Sequence, residues 1–177
     1  MLLVELDFIT LADWIEATQS GAKSSLHGSN HWRRVAAAGL ALADSEPQAD
    51  RELLLLFALL HDSQRLNDNE DPLHPARAAD FAATLDLHLS EERMATLLFA
   101  LRHHTDGQVN EDPTIAVCWD ADRLNLWRVG IQPSPDLLST PEAKKRERII
   151  WGGHLQRQHF EWPDLLARAT PEAILTA

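Results

Sequence analysis
Apolar residues recur at three- and four-residue steps through most of the chain, the period of a helix with one buried face. Leu11, Trp14, Ile15 and Thr18 keep that period after a capping-box start at Thr10, Leu11, Ala12 and Asp13, so a short first helix is predicted over 10–20, ended by Gly21. Val35, Ala38 and Leu42 predict a second helix over 30–42, stopped at Glu46 and Pro47. Residues 53–60 are wholly apolar. Periodicity alone leaves such a run open between a buried strand and a buried helix, but its leucine and alanine content, with no β-branched residue, favours helix over 51–60.

Asn, Asp and Ser crowd residues 62–72 and predict a loop. Pro75, Ala79, Phe81 and Leu85 predict a helix over 74–87, and Ser90, Glu91, Glu92 and Arg93 open another that runs to His103. A second polar loop spans 105–113. Residues 114–129 are again helical in pattern until Pro133, Ser134 and Pro135 break it, and 141–160 read as one charged, amphipathic last helix. No internal repeat and no alternating strand pattern is present. The predicted fold class is all-α, with about six to eight helices.

Composition narrows the picture. With 177 residues and 45% hydrophobic content the chain can bury one sizeable core, so 1–177 is expected to be a single compact domain. The eight-residue apolar run is far below the about 18 residues a membrane span needs. Glu5 and Asp7 stand where an export signal would carry positive charge. Cys118 is the only cysteine, which excludes an internal disulfide and suits a reducing compartment; the cytoplasm is the expected location. A net charge of -11 argues against general nucleic-acid binding, which depends on many Lys and Arg contacts to phosphate. A small phosphorylated substrate stays open, because a metal ion and one or two arginines in a cleft overcome local repulsion.

The candidate chemistry lies among nine histidines. His61 and Asp62 stand where the apolar helix gives way to a polar loop. Burying such an ionisable pair without a partner costs several kcal/mol, and a metal would remove that cost. His31 opens the second helix, with Arg34 three residues on, and Asp122 lies in a later helix with Arg123 next to it. Imidazole and carboxylate suit Mn, Fe, Co, Ni or Zn, and two histidines with two aspartates leave coordination positions open for water.

At these residues the chain resembles a family. His31-Trp32-Arg33-Arg34-Val35 matches H-x-x-R-V, His61-Asp62 is the doublet after an apolar helix, and Ala121-Asp122-Arg123-Leu124 matches a closing A-D-R-L. Three motifs in this order resemble the HD superfamily of metal-dependent phosphohydrolases, over residues 27–130. The resemblance implies that His31, His61, Asp62 and Asp122 hold the metal, Asp122 being preferred to Asp120 because it directly precedes the Arg-Leu pair. It also implies a possible second ion, held by His74, His103 and His104. The branch that cleaves cyclic di-GMP has a Glu after its His-His pair and a Gly-Tyr-Pro tripeptide; this chain has Thr105, Asp106, Gly107 and Gln108, and no tyrosine.

The implied activity is hydrolysis of a nucleotide or another small phosphate ester by metal-activated water. Asp62 would orient the water, Arg34 and Arg65 would contact phosphate, and His104 would bind metal or protonate the leaving oxygen. Alternatives are a di-iron oxygenase of the same superfamily and a non-catalytic metal-binding or signalling module. Plainer expectations cover the remaining features. His74 can equally cap a helix before Pro75, and of His103 and His104 the second is favoured to face the site. Trp32, Trp119 and Trp127 read as core, Asp68, Glu70, Asp71 and Asp112 as solvated charge, and Lys144, Lys145, Arg146 and Arg148 as the wet side of the last helix.

Overall fold
The computed structural model describes residues 2–170, with side chains from residue 8 onward. Among them are nine α-helices and no strand, an all-α fold. The helices are α1 (Leu2–Thr18), α2 (Ser29–Ala43), α3 (Arg51–Leu60), α4 (His74–Ala82), α5 (Glu91–His103), α6 (Pro113–Leu124), α7 (Pro141–Lys144), α8 (Arg146–His154) and α9 (Trp162–Ala169). None of the described helices is long and apolar enough to cross a membrane.

At the centre is α3, whose positions 53–60 are all buried, so the run is a helix enclosed on every side. The Asp50 carboxylate starts it by accepting from the amides of Glu52 and Leu53, both at 3.1 Å, and so satisfies two orphan donors of the first turn. α2 packs along α3 and α6, α4 pairs with α5, and α9 lies against α1, α2 and α3. Glu16 joins three of these helices: it accepts from Arg33 of α2 at 2.6 Å and from the indole of Trp162 of α9 at 2.7 Å. Trp32 and Phe57 are fully enclosed, each contributing about 2–3 kcal/mol of apolar burial as an upper bound.

Several boundaries differ from expectation. α1 begins eight residues before Thr10, because nothing in residues 2–9 breaks a helix; Thr10 lies in its interior and caps nothing. α4 stops at Ala82 rather than at 87: Thr84 folds back, its amide and its hydroxyl both donating to the Phe81 carbonyl, a local bond that competes with further helix. α6 ends at Leu124, since buried Asn125 donates its side-chain amide to the Ala121 carbonyl at 2.9 Å, and a 3-10 turn (Leu126–Val129) follows. The expected last helix is divided at Lys145, whose backbone is extended, and α9 lies beyond it.

Not all the loop acids are idle. Asp71 accepts from Arg77 at 2.6 Å, Asp112 caps α6, and Asp68 pairs with Ser24 and Ser25. Trp32 and Trp119 are core, Trp127 is packed against it, and Cys118 is a free, buried thiol.

Candidate metal centre
Five helix ends or turns deliver six ligand-type side chains to one place. His31 comes from the first turn of α2, His61 and Asp62 from the end of α3, His74 from the start of α4, His104 from the end of α5 and Asp122 from the last turns of α6. All six are largely or wholly buried. They form two trios able to hold a metal ion, one of His31, His61 and Asp122 and the other of Asp62, His74 and His104.

In the first trio the His31 and His61 Nε2 atoms stand 3.1 Å apart, and Asp122 Oδ1 is 3.2 Å from the former and 3.8 Å from the latter. In the second, the His74 and His104 Nε2 atoms are 3.0 Å apart, and Asp62 Oδ1 is 3.1 and 3.9 Å from them. Asp62 joins the trios: its other oxygen, Oδ2, faces His61 at 3.5 Å and His31 at 3.7 Å. Ligands bound at about 2.1 Å and at right angles stand about 3.0 Å apart, so these separations suit coordination around a cation.

The proton positions point the same way. His61 Nδ1 donates to the Ala58 carbonyl at 3.0 Å, His104 Nδ1 to Leu101 at 2.7 Å and His74 Nδ1 to Asp71 at 2.6 Å, each to a carbonyl three residues back. A neutral ring whose proton is held at Nδ1 presents a bare lone pair at Nε2. His74 and His104 then face each other lone pair to lone pair, a repulsive contact that a cation relieves. For the same reason His104 has no Nε2 proton to give a leaving group, which sets it among the ligand-type groups rather than the acids. His31 Nδ1 and Asp122 Oδ1 are buried with no hydrogen-bond partner, as expected of a cluster built for something further.

The charge states favour the same use. Burial, aided by the charge of Arg128, pushes His31 from its ordinary 6.5 down to about 3, and burial with the neighbouring His61 pushes His104 to about 4. Burial would raise Asp62, but the neighbouring His61 and a hydrogen bond from His27 hold it well below the usual carboxylate range. Asp122 is likewise held down against burial, by the adjacent His31 and the charge of Arg128. At neutral pH His31 and His104 are uncharged and Asp62 and Asp122 ionised, the forms that bind metal.

Four residues named from sequence stand differently. His103 is outside the cluster: its side chain is 38% exposed and bonded to Asp106 at 3.3 Å, because one residue's step around α5 turns it away from the side His104 faces. Asp120 is wholly buried but accepts from Ser139 and Thr140 amides and the Thr140 hydroxyl at 2.7–2.8 Å, so it anchors the segment before α7. Arg34 does not line the cleft beside the cluster. Arg65 does, with Nη1 3.8 Å from Asp62 Oδ1 and 3.2 Å from the His74 ring, while its Nε and Nη2 donate to the Asn67 and Asn69 carbonyls.

Two groups were missed. His27 is buried and places Nδ1 3.1 Å from Asp62 Oδ2, and Arg128 reaches toward Asp62 and Asp122. His27 begins the likeness without being part of a motif, and Arg128 follows the last one. A cleft of about 320 Å³ opens on Asp62, His74, His104 and Asp122, walled by Arg123 and Arg128. Arg123 is occupied in structure, its guanidinium donating to the Gly107, Gln108 and Leu137 carbonyls. Comparison of the chain with protein-family models, with curated proteins and with solved structures finds no match.

Proposed function
We propose that this chain is a metal-dependent phosphohydrolase of the HD type, acting on a small phosphate ester such as a nucleotide. The observation that carries this reading is the two pairs of facing Nε2 atoms on either side of Asp62, which itself lines a cleft walled by arginines. The cleft is near the lower end of the roughly 300–1,000 Å³ common for ligand sites, which favours a small substrate over a polymer.

The residues present fit one or two divalent transition ions, of Mn, Fe, Co, Ni or Zn: His31, His61, Asp62 and Asp122 would hold the first, and Asp62, His74 and His104 the second. Such an ion supplies a lowered pKa for bound water, from about 15.7 toward 7, and neutralises phosphoryl oxygens. The chain does the rest. Asp62 presents one oxygen to each trio, Oδ1 to His74 and His104 and Oδ2 to His31 and His61, and so orients what lies between them. The Nδ1 bonds lock the rings, and Arg65 contributes positive charge at the rim.

The test is phosphate release from a panel of nucleotides and sugar phosphates by protein loaded with Mn, Co or Ni. Asp62→Ala is expected to abolish turnover, and an Asp62→Ala variant with full activity sinks the reading. One observation favours a second: two trios sharing a carboxylate also suit a di-iron oxygenase. Two irons per chain, oxygen uptake and no phosphate release would select it. Tight metal binding with neither activity would mark a non-catalytic metal-binding or signalling module.

A further inference from the structure
Arg128 lies in the 3-10 turn after α6, outside every motif that marks the centre. Its side chain is 8% exposed. Nη1 donates to the Asn125 carbonyl at 3.1 Å, while Nη2 lies 3.3 Å from His27 Nδ1, 3.7 Å from Asp122 Oδ1 and 4.0 Å from Asp62 Oδ2. The two carboxylate distances are too long for hydrogen bonds. Nε–H is buried with no partner at all. A guanidinium has five donors, so most of this one's capacity is unspent. Its neighbours differ: the Arg123 donors end on backbone carbonyls, and those of Arg65 are shared among the Asn67 and Asn69 carbonyls and the His74 ring, 3.2 Å from Nη1.

The turn is built to hold this side chain still. Asn125 is buried, donates to the Ala121 carbonyl and accepts from Gln156 at 3.1 Å. Trp127, one residue before Arg128, donates its indole N–H to the Ile149 carbonyl of α8 at 2.9 Å. Arg34 of α2 adds a second positive charge, close enough to oppose that of Arg128. The Arg34 Nε–H, like that of Arg128, is buried with no partner, and a buried donor left unmet costs free energy.

We propose that Arg128 is the anion-binding residue of the cleft, holding an oxygen of a phosphoryl group beside Asp62 and Asp122. This assignment rests on the phosphohydrolase reading. In the metal-free chain Arg128 is the countercharge of those two carboxylates. When cations neutralise them, its charge and its free Nε–H and Nη–H fork are left for a tetrahedral oxyanion, whose oxygens match that fork. Arg128 therefore couples the two events: phosphate binds well only to loaded protein.

The test is inorganic phosphate binding to the full chain, loaded with Mn, by titration calorimetry, with metal content measured in parallel. Wild type is expected to bind phosphate only when loaded. Arg128→Gln should weaken that binding by roughly ten- to a hundredfold while metal content is kept, and Arg128→Lys, which keeps charge without the fork, by at least about threefold. Should Arg128→Gln fail to fold, Arg128→Lys carries the comparison. Wild-type phosphate affinity in a loaded variant, loss of metal from Arg128→Gln and Arg128→Lys alike, or no phosphate binding by loaded wild type overturns the assignment. Loaded wild type that binds phosphate through Arg128 yet cleaves no ester sinks the phosphohydrolase reading alone.

Discussion

The backbone of Gly21 lies against that of Asp62 so closely that a Cβ on Gly21 would overlap the Asp62 carbonyl, and the Gly21 amide donates to the next carbonyl, that of Ser63, at 3.0 Å. The turn after α1 is thereby fastened to the residue that joins the two trios. Gly21→Ala is expected to cost about 1–3 kcal/mol by overpacking against main chain that cannot step aside. For a chain of this size that is roughly 2–4 °C of melting temperature per kcal/mol. The same variant should bind metal more weakly, and a calorimetric scan with a metal titration checks both.

Single ligand variants should separate the trios. His31→Ala is expected to lower occupancy at the first, and His74→Ala or His104→Ala at the second, each weakening metal binding about 10- to 100-fold or more. His103→Ala should leave metal content unchanged, since it bonds only Asp106. Metal analysis of dialysed protein decides these outcomes.

Asp120 and Asp122 should exchange effects between stability and metal. Asp120→Ala strands the Ser139 and Thr140 amides and is expected to cost roughly 2–4 kcal/mol in denaturant unfolding, with metal affinity preserved in the folded fraction. Asp122→Asn should lose metal from the folded protein, which Asp120→Ala does not.

Acid should weaken the metal-free protein earlier than carboxylate titration alone would. His31 and His104 titrate near 6.5 in the unfolded chain but at about 3 and about 4 when folded. Between those values the unfolded state binds more protons, so stability falls as pH drops from about 6.5. The urea midpoint of chelator-treated protein should be lower at pH 5 than at pH 7.5. Equal midpoints would refute neutral burial of these rings.

What could be read from the chain followed physical locality. α2, α3 and α5 were predictable because their periodicity or enclosure is strong and their ends carry Pro, Asp or Ser signals. The end of α4 was not, because Thr84 acts through a hydroxyl bond that no period encodes. Asp120 and Asp122 differ by about 200° of helix rotation, so which carboxylate meets the histidines is a matter of helix phase. His103 and His104 differ by about 100° in the same way. Arg128 had no signal of its own: its position depends on Asn125 and on Trp127 docking against α8, a contact across 22 residues.

The outward bonds of His61, His74 and His104 all end on main-chain carbonyls. No point substitution can delete such an acceptor, so ring orientation and basicity are insulated from sequence drift around them. Cleft walls can then vary while the ring orientations beneath them stay fixed. Those orientations are vulnerable instead to fraying of the last turns of α3 and α5, and amide exchange there should slow markedly on metal loading.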